Sequence, residues 1–134
     1  MRTEWLAALA AGALAAPALA CVPDLPGAAR ILEAGRYSVA YRAVPDKLPV
    51  SQHFSLLIAV CANPGAPPLE TVTVDAQMPE HRHGMNYKAS IKRESASRYR
   101  ADGLMFHMPG RWEIIFELRA AGRTDRVTQS EVIE

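Results

Sequence analysis

The chain has 134 residues, 49% of them hydrophobic and 22% charged, and its 15 basic and 14 acidic side chains leave a formal net charge of +1. This balance suits one small globular domain and excludes a disordered or coiled-coil chain. With no basic run to track phosphates, it also excludes a nucleic-acid partner: Lys88, Lys92, Arg93, Arg98 and Arg100 alternate with apolar or small residues, as a solvated strand face does.

Residues 1–20 read as a secretory signal. Arg2 precedes an apolar run from Trp5 to Ala16, and Ala18-Leu19-Ala20 suits a signal peptidase, so cleavage is expected to expose Cys21. The run is shorter than the roughly 20 residues a membrane-spanning helix needs, and no later segment comes closer. The expected mature chain, 21–134, is therefore a single periplasmic domain with no transmembrane helix. A cysteine at the cleavage point also raises acylation of Cys21 as a lipoprotein anchor, but the leucine expected three places upstream is missing. Cys21 and Cys61 are the two cysteines of the chain, an even number that in an exported protein points to a disulfide between them. Such a bridge closes a loop on the order of 40 residues, for which chain entropy gives roughly 4 kcal/mol. Two reduced thiols are the alternative if the chain stays in the cytosol.

After a short helical candidate at Gly27–Ala34, stopped by Gly35, the pattern turns to strands. Tyr37, Val39 and Tyr41 alternate with polar or small residues, and His53–Cys61 is apolar at its centre. Val72, Val74, Ala76 and Met78 alternate with Thr71, Thr73, Asp75 and Gln77. Further strands are predicted at Tyr87–Arg93, Arg98–Phe106, Arg111–Arg119 and Arg123–Ile133, separated by Pro-, Gly- and Asn-rich turns such as 63–68, Pro109-Gly110 and Ala121-Gly122. Seven short strands with regular turns predict an all-β fold, a seven-stranded antiparallel immunoglobulin-like β-sandwich.

The chemistry concentrates in Met78-Pro79-Glu80-His81-Arg82-His83-Gly84-Met85 and in His107-Met108-Pro109-Gly110. Imidazole suits copper in either oxidation state, and thioether sulfur is soft and favours Cu(I). If the seven strands run alternately up and down, all four histidines fall at one pole: His53 opening the second strand, His81 and His83 after the third, and His107 after the fifth. In extended backbone His81 and His83 project to one side while Arg82 points away. His107 and Met108 are neighbours, so in a regular strand only one faces the site, and Pro109-Gly110, which breaks the strand there, permits both.

The strings Val74–Tyr87 and Gly103–Trp112 resemble the YtkA-like and FixH-like families of small exported immunoglobulin-like domains. The resemblance implies a periplasmic or cell-surface domain that handles copper or helps assemble respiratory redox enzymes, and it brings no catalytic residues.

Within the two clusters, His81, His83 and His107 are the expected metal ligands, with Met85 or Met78 as a soft fourth donor. Met78 shares the parity of Val72 and Val74 and reads equally as core. Met108, His53 and Glu80 are weaker ligands or lie behind the first ones, Met108 as a plug at the end of the core. Met105 and Trp112 read as core. No enzyme is expected: a histidine-brace oxygenase needs an amino-terminal histidine, and Ser51, His53 and Ser55 form no nucleophile arrangement. The expected function is to buffer copper or deliver it to a periplasmic redox enzyme through a His/Met site at one pole. The competing expectation is a metal-free immunoglobulin-like module that docks to a cuproenzyme or to a cytochrome assembly partner.

Overall fold

Period-two alternation governs the architecture. A computed structural model describes residues 12–134; within them nine strands and no helix form two antiparallel sheets packed face to face. The first eleven residues, and with them most of the expected signal, lie outside the described residues. Residues 12–20 are exposed and without regular structure. One sheet has the order β1 (Arg30–Ala34), β2 (Tyr37–Val44), β3 (His53–Ala62), β7 (Arg98–Met105), β6 (Ser90–Arg93). The other has the order β5 (His83–Gly84), β4 (Thr71–Met78), β8 (Gly110–Ala120), β9 (Arg123–Ile133).

Seven of these strands overlie those expected from alternation, and two were not expected. The helical candidate at Gly27–Ala34 is corrected: Arg30–Ala34 is an edge strand whose residues face Tyr37–Tyr41 in antiparallel register. Gly35 does not stop a helix. It opens a two-residue hairpin turn with φ 61°, a left-handed value that suits glycine, and an added Cβ would run into the carboxylate of Asp125. Arg36, beside it, pairs with Asp125 at 2.6 Å and donates to the carbonyls of Ala120 and Arg123, pinning the β1–β2 turn to the β8–β9 turn. The second unexpected strand, β5, has two residues, too few to show a period. It lies on Gln77 and Met78 of β4 and bears His83.

Between the sheets, Tyr37, Leu56, Ile58, Leu104, Phe106, Trp112, Ile114, Phe116 and Leu118 are fully buried. Toward the β4–β5 pole the core is aromatic. Phe54 packs on Phe106 at 4.8 Å between ring centroids, and Phe106 stacks on Trp112 at 4.8 Å with 27° between the planes. At the opposite pole a disulfide joins Cys21 to Cys61. It holds the segment before β1 across the outer face of the first sheet, where Pro23 is buried and Asp24 pairs with Arg98 at 3.0 Å. With its sulfur bonded to Cys61, Cys21 has no thiol left for an acyl chain.

On the inward side of β9, Glu131 accepts the buried Tyr41 hydroxyl at 2.8 Å and pairs with Arg30 at 3.0 Å. Desolvation, and then Glu131, push the Tyr41 phenol well above its ordinary value. The folded state therefore favours the neutral phenol. This contribution is complete below the ordinary tyrosine pKa of about 10 and is lost as pH rises beyond it. Tyr41→Phe is expected to cost about 1 kcal/mol at neutral pH. Urea melts across the alkaline range check the sign, because the variant should lose stability less steeply with rising pH than the parent.

Candidate functional site

The β4–β5 hairpin and the β7–β8 turn meet at one pole. The hairpin reverses over Pro79–Arg82: the His81 amide donates to the Met78 carbonyl at 3.2 Å, and Arg82 takes a left-handed φ of 54°. The backbone between His81 and His83 is thus a tight turn and not the extended dipeptide expected, with the left-handed Arg82 reversing the chain between them. The two rings still come together, with centroids 5.7 Å apart and planes inclined by 41°.

His83 stands at the centre of the group. Its ring lies 5.0 Å from that of His107 and 5.8 Å from that of Trp112, which it meets edge-on. Its Nδ1 is 3.1 Å from the Gly84 carbonyl. A carbonyl only accepts, so Nδ1 is the donor in this contact, and in the neutral ring that leaves the lone pair on Nε2. His83 also lines an open depression of about 410 Å³ beside the hairpin, together with Met78, Pro79 and Arg82.

His107 arrives from the other side. The β7–β8 turn is held by the Trp112 indole N–H, which donates to the Met108 carbonyl at 3.0 Å, and by Gly110 at φ 130°. Trp112 therefore serves both core and site: its ring meets His107 edge-on at 5.3 Å, and its N–H fixes the turn that carries this residue. The Nδ1 of His107 is buried and has no hydrogen-bond partner. A buried polar atom without a partner costs stability, and a ligand at this point would relieve that cost.

The remaining candidates lie around this group. Met78 is a core residue, 1% exposed, and its terminal methyl fills the space that a Cβ on Gly110 would need. Met85 and Met108 are half-buried and pack on the core. Glu80 is exposed and held by Arg111 at 3.1 Å, and Arg111 also reaches Glu113 at 3.2 Å. His53 is exposed at the same end but turns its ring edge-on to Tyr87 at 4.8 Å, apart from the other three imidazoles. Sequence reasoning missed Arg111 as the holder of Glu80. The available signal was its parity, opposite to the inward Trp112, which puts a guanidinium on the outer rim of this pole.

Among the described residues no group of three or more His, Cys, Asp or Glu side chains stands ready to enclose a metal ion. The three rings lie tilted on one another, by 41° between His81 and His83 and by 37° between His83 and His107. Closing three nitrogens on a common point takes side-chain rotation within a group that is already in contact.

No protein-family model matches the sequence, and no curated protein matches it. The fold is similar to the crystal structure of a DUF4426 family protein from Pseudomonas aeruginosa PAO1, with a TM-score of 0.53 over 78% of this chain and 94% of that one. Identity is 13%, so this likeness shows a small all-β architecture and nothing of function.

Proposed function

We propose that this chain is an exported, immunoglobulin-like domain of the YtkA-like or FixH-like kind that carries a copper ion as cargo and buffers it or hands it to a periplasmic redox enzyme. One observation carries the reading: His81, His83 and His107 come from two different chain reversals, yet their rings form one contiguous group with His83 in the middle. Imidazoles attract no special neighbour by burial alone, and the unpartnered Nδ1 of His107 leaves a donor atom looking for a ligand.

The donor set is nitrogen-rich. With Met78 packed under Gly110, the soft fourth donor falls to Met85, one residue beyond β5. Such a set favours Cu(II) over Cu(I), and zinc would compete through the imidazoles alone. The geometry suits a carrier: His81 is exposed, and the hairpin bearing it pairs with β4 at only two residues, so a ligand can swing away when the ion passes on. We read the domain as non-enzymatic, a carrier of the ion. The Cys21–Cys61 bridge supports the exported location, since disulfides persist in oxidising compartments.

A titration with Cu(II) and with Cu(I) held by a competing chelator tests the reading. One equivalent of Cu(II) is expected to bind with higher affinity than Cu(I), and uptake of neither would overturn the proposal. A second reading is favoured by the lack of a preformed three-ligand group among the described residues. In it the same pole is a metal-free contact surface for a redox enzyme or its cytochrome assembly complex, and partner capture then persists in chelator.

A further inference from the structure

We infer that the free edge of β4 pairs with β4 of a second copy of this chain, joining two four-stranded sheets into one. On its β8 side β4 is paired from Thr71 to Gln77, whereas on its other side only Gln77 and Met78 have a strand partner among the described residues. The Ala76 carbonyl takes the Met85 amide at 3.3 Å, so the groups of Ala76 point to that open side. The Ala76 N–H is capped by the Asp75 carboxylate at 2.8 Å. Strand groups alternate, so Val72 and Val74 direct their N–H and C=O the same way, and among the described residues no strand pairs with them there.

The other sheet edges carry the usual guards. β6 has four residues including Lys92 and Arg93, β1 is short and tied through Arg30 to Glu131, and β9 bears Arg123, Arg126 and an inward Asp125. Between Thr71 and Asp75 the β4 edge has no proline, lysine or arginine. Its Thr-Val-Thr-Val run strongly favours strand pairing. A groove of about 440 Å³ runs beside it, bounded by Thr73, Asp75, Lys88, Ile91, Glu117 and Arg126.

The rim of that groove selects the occupant. It carries two cations, Lys88 and Arg126, and two anions, Asp75 and Glu117, so it offers no net attraction to a one-signed partner but complements itself when rotated by a twofold axis. An axis through Thr73 sets Thr73 against Thr73 and Thr71 against Asp75, so no like charges oppose. Val72 of one copy and Val74 of the other then exchange hydrogen bonds, twice by symmetry, while their side chains stay in their own cores. Because the strands are antiparallel, the two imidazole groups end at opposite ends of the joined sheet, free of the interface.

Sedimentation equilibrium of the purified protein in chelator, from micromolar to millimolar concentration, together with amide hydrogen exchange, tests this independently of any metal. A reversible dimer is expected, with the Val72 and Val74 amides slowing by about tenfold or more as concentration rises. Thr73→Lys puts two ammonium groups on the axis and is expected to weaken association by about tenfold. A monomer throughout, with both amides fast at every concentration, overturns the inference, as does a dimer that Thr73→Lys leaves unchanged. If Thr73→Lys fails to fold, the exchange measurement on the parent decides alone.

Discussion

His83→Ala is expected to weaken Cu(II) binding by at least about 100-fold, the largest single effect in this domain, because it removes a ligand itself rather than one of the outer groups whose loss already costs 10–100-fold. The choice of His83 follows from its position: its ring touches both His81 and His107, its Nδ1 is committed to the Gly84 carbonyl, and its Nε2 is left to bind. Its alanine variant keeps the Met78–His83 backbone pairing, so stability should change little. His107→Ala should come close in effect, and His81→Ala should be milder, since this exposed ring touches only one of the other two imidazoles. His53→Ala is the control. Its ring packs on Tyr87, and uptake should be unchanged. Competition titrations of the four variants check the order, and equal affinity in His83→Ala and parent would remove the imidazole group from copper binding.

Removing the disulfide should have the largest effect on stability. Cys21 and Cys61 are separated by 40 positions, and opening that loop in the unfolded chain lowers stability by roughly 4 kcal/mol. A domain of this size would then melt roughly 15 °C lower or more. The loss should exceed the loop entropy alone if the segment that carries the buried Pro23 also detaches, giving up the Cys21 amide hydrogen bond to Asn63 and the Asp24–Arg98 pair. Copper binding should survive below the new melting point. Cys61 lies near the far end of β3 from His53, roughly 25 Å away by the rise of an extended strand. Thermal melts of the double serine variant, with and without Cu(II), check both parts. A loss under about 1 kcal/mol would show that the segment before β1 contributes little.

Much of the fold is legible from alternation. Thr71–Met78 and Arg111–Arg119 announce their inward faces residue by residue, and Ala121-Gly122 supplies the two positive-φ residues that a two-residue hairpin needs. Arg30–Ala34 escaped because Leu32, Glu33 and Ala34 are good helix formers. The pairing with Tyr37–Tyr41 overrides that local preference, and Gly35 serves equally as a stop or a turn. At the site, strand parity accounts for the meeting of His83 and His107 at one pole, since both follow strands that run the same way. It does not account for the His81–His83 contact. That contact depends on a left-handed residue at position 82, which arginine gives no reason to expect. Nor does spacing tell where a sulfur goes. Parity left Met78 balanced between core and ligand, and its burial, with its methyl against Gly110, shows that it is spent on packing.

The most direct test is the electron paramagnetic resonance spectrum of the protein carrying one equivalent of Cu(II). Hyperfine splitting from several imidazole nitrogens, reduced in His83→Ala and in His107→Ala, is the predicted result. A spectrum indistinguishable from that of copper in buffer, or one that neither substitution alters, would contradict the account.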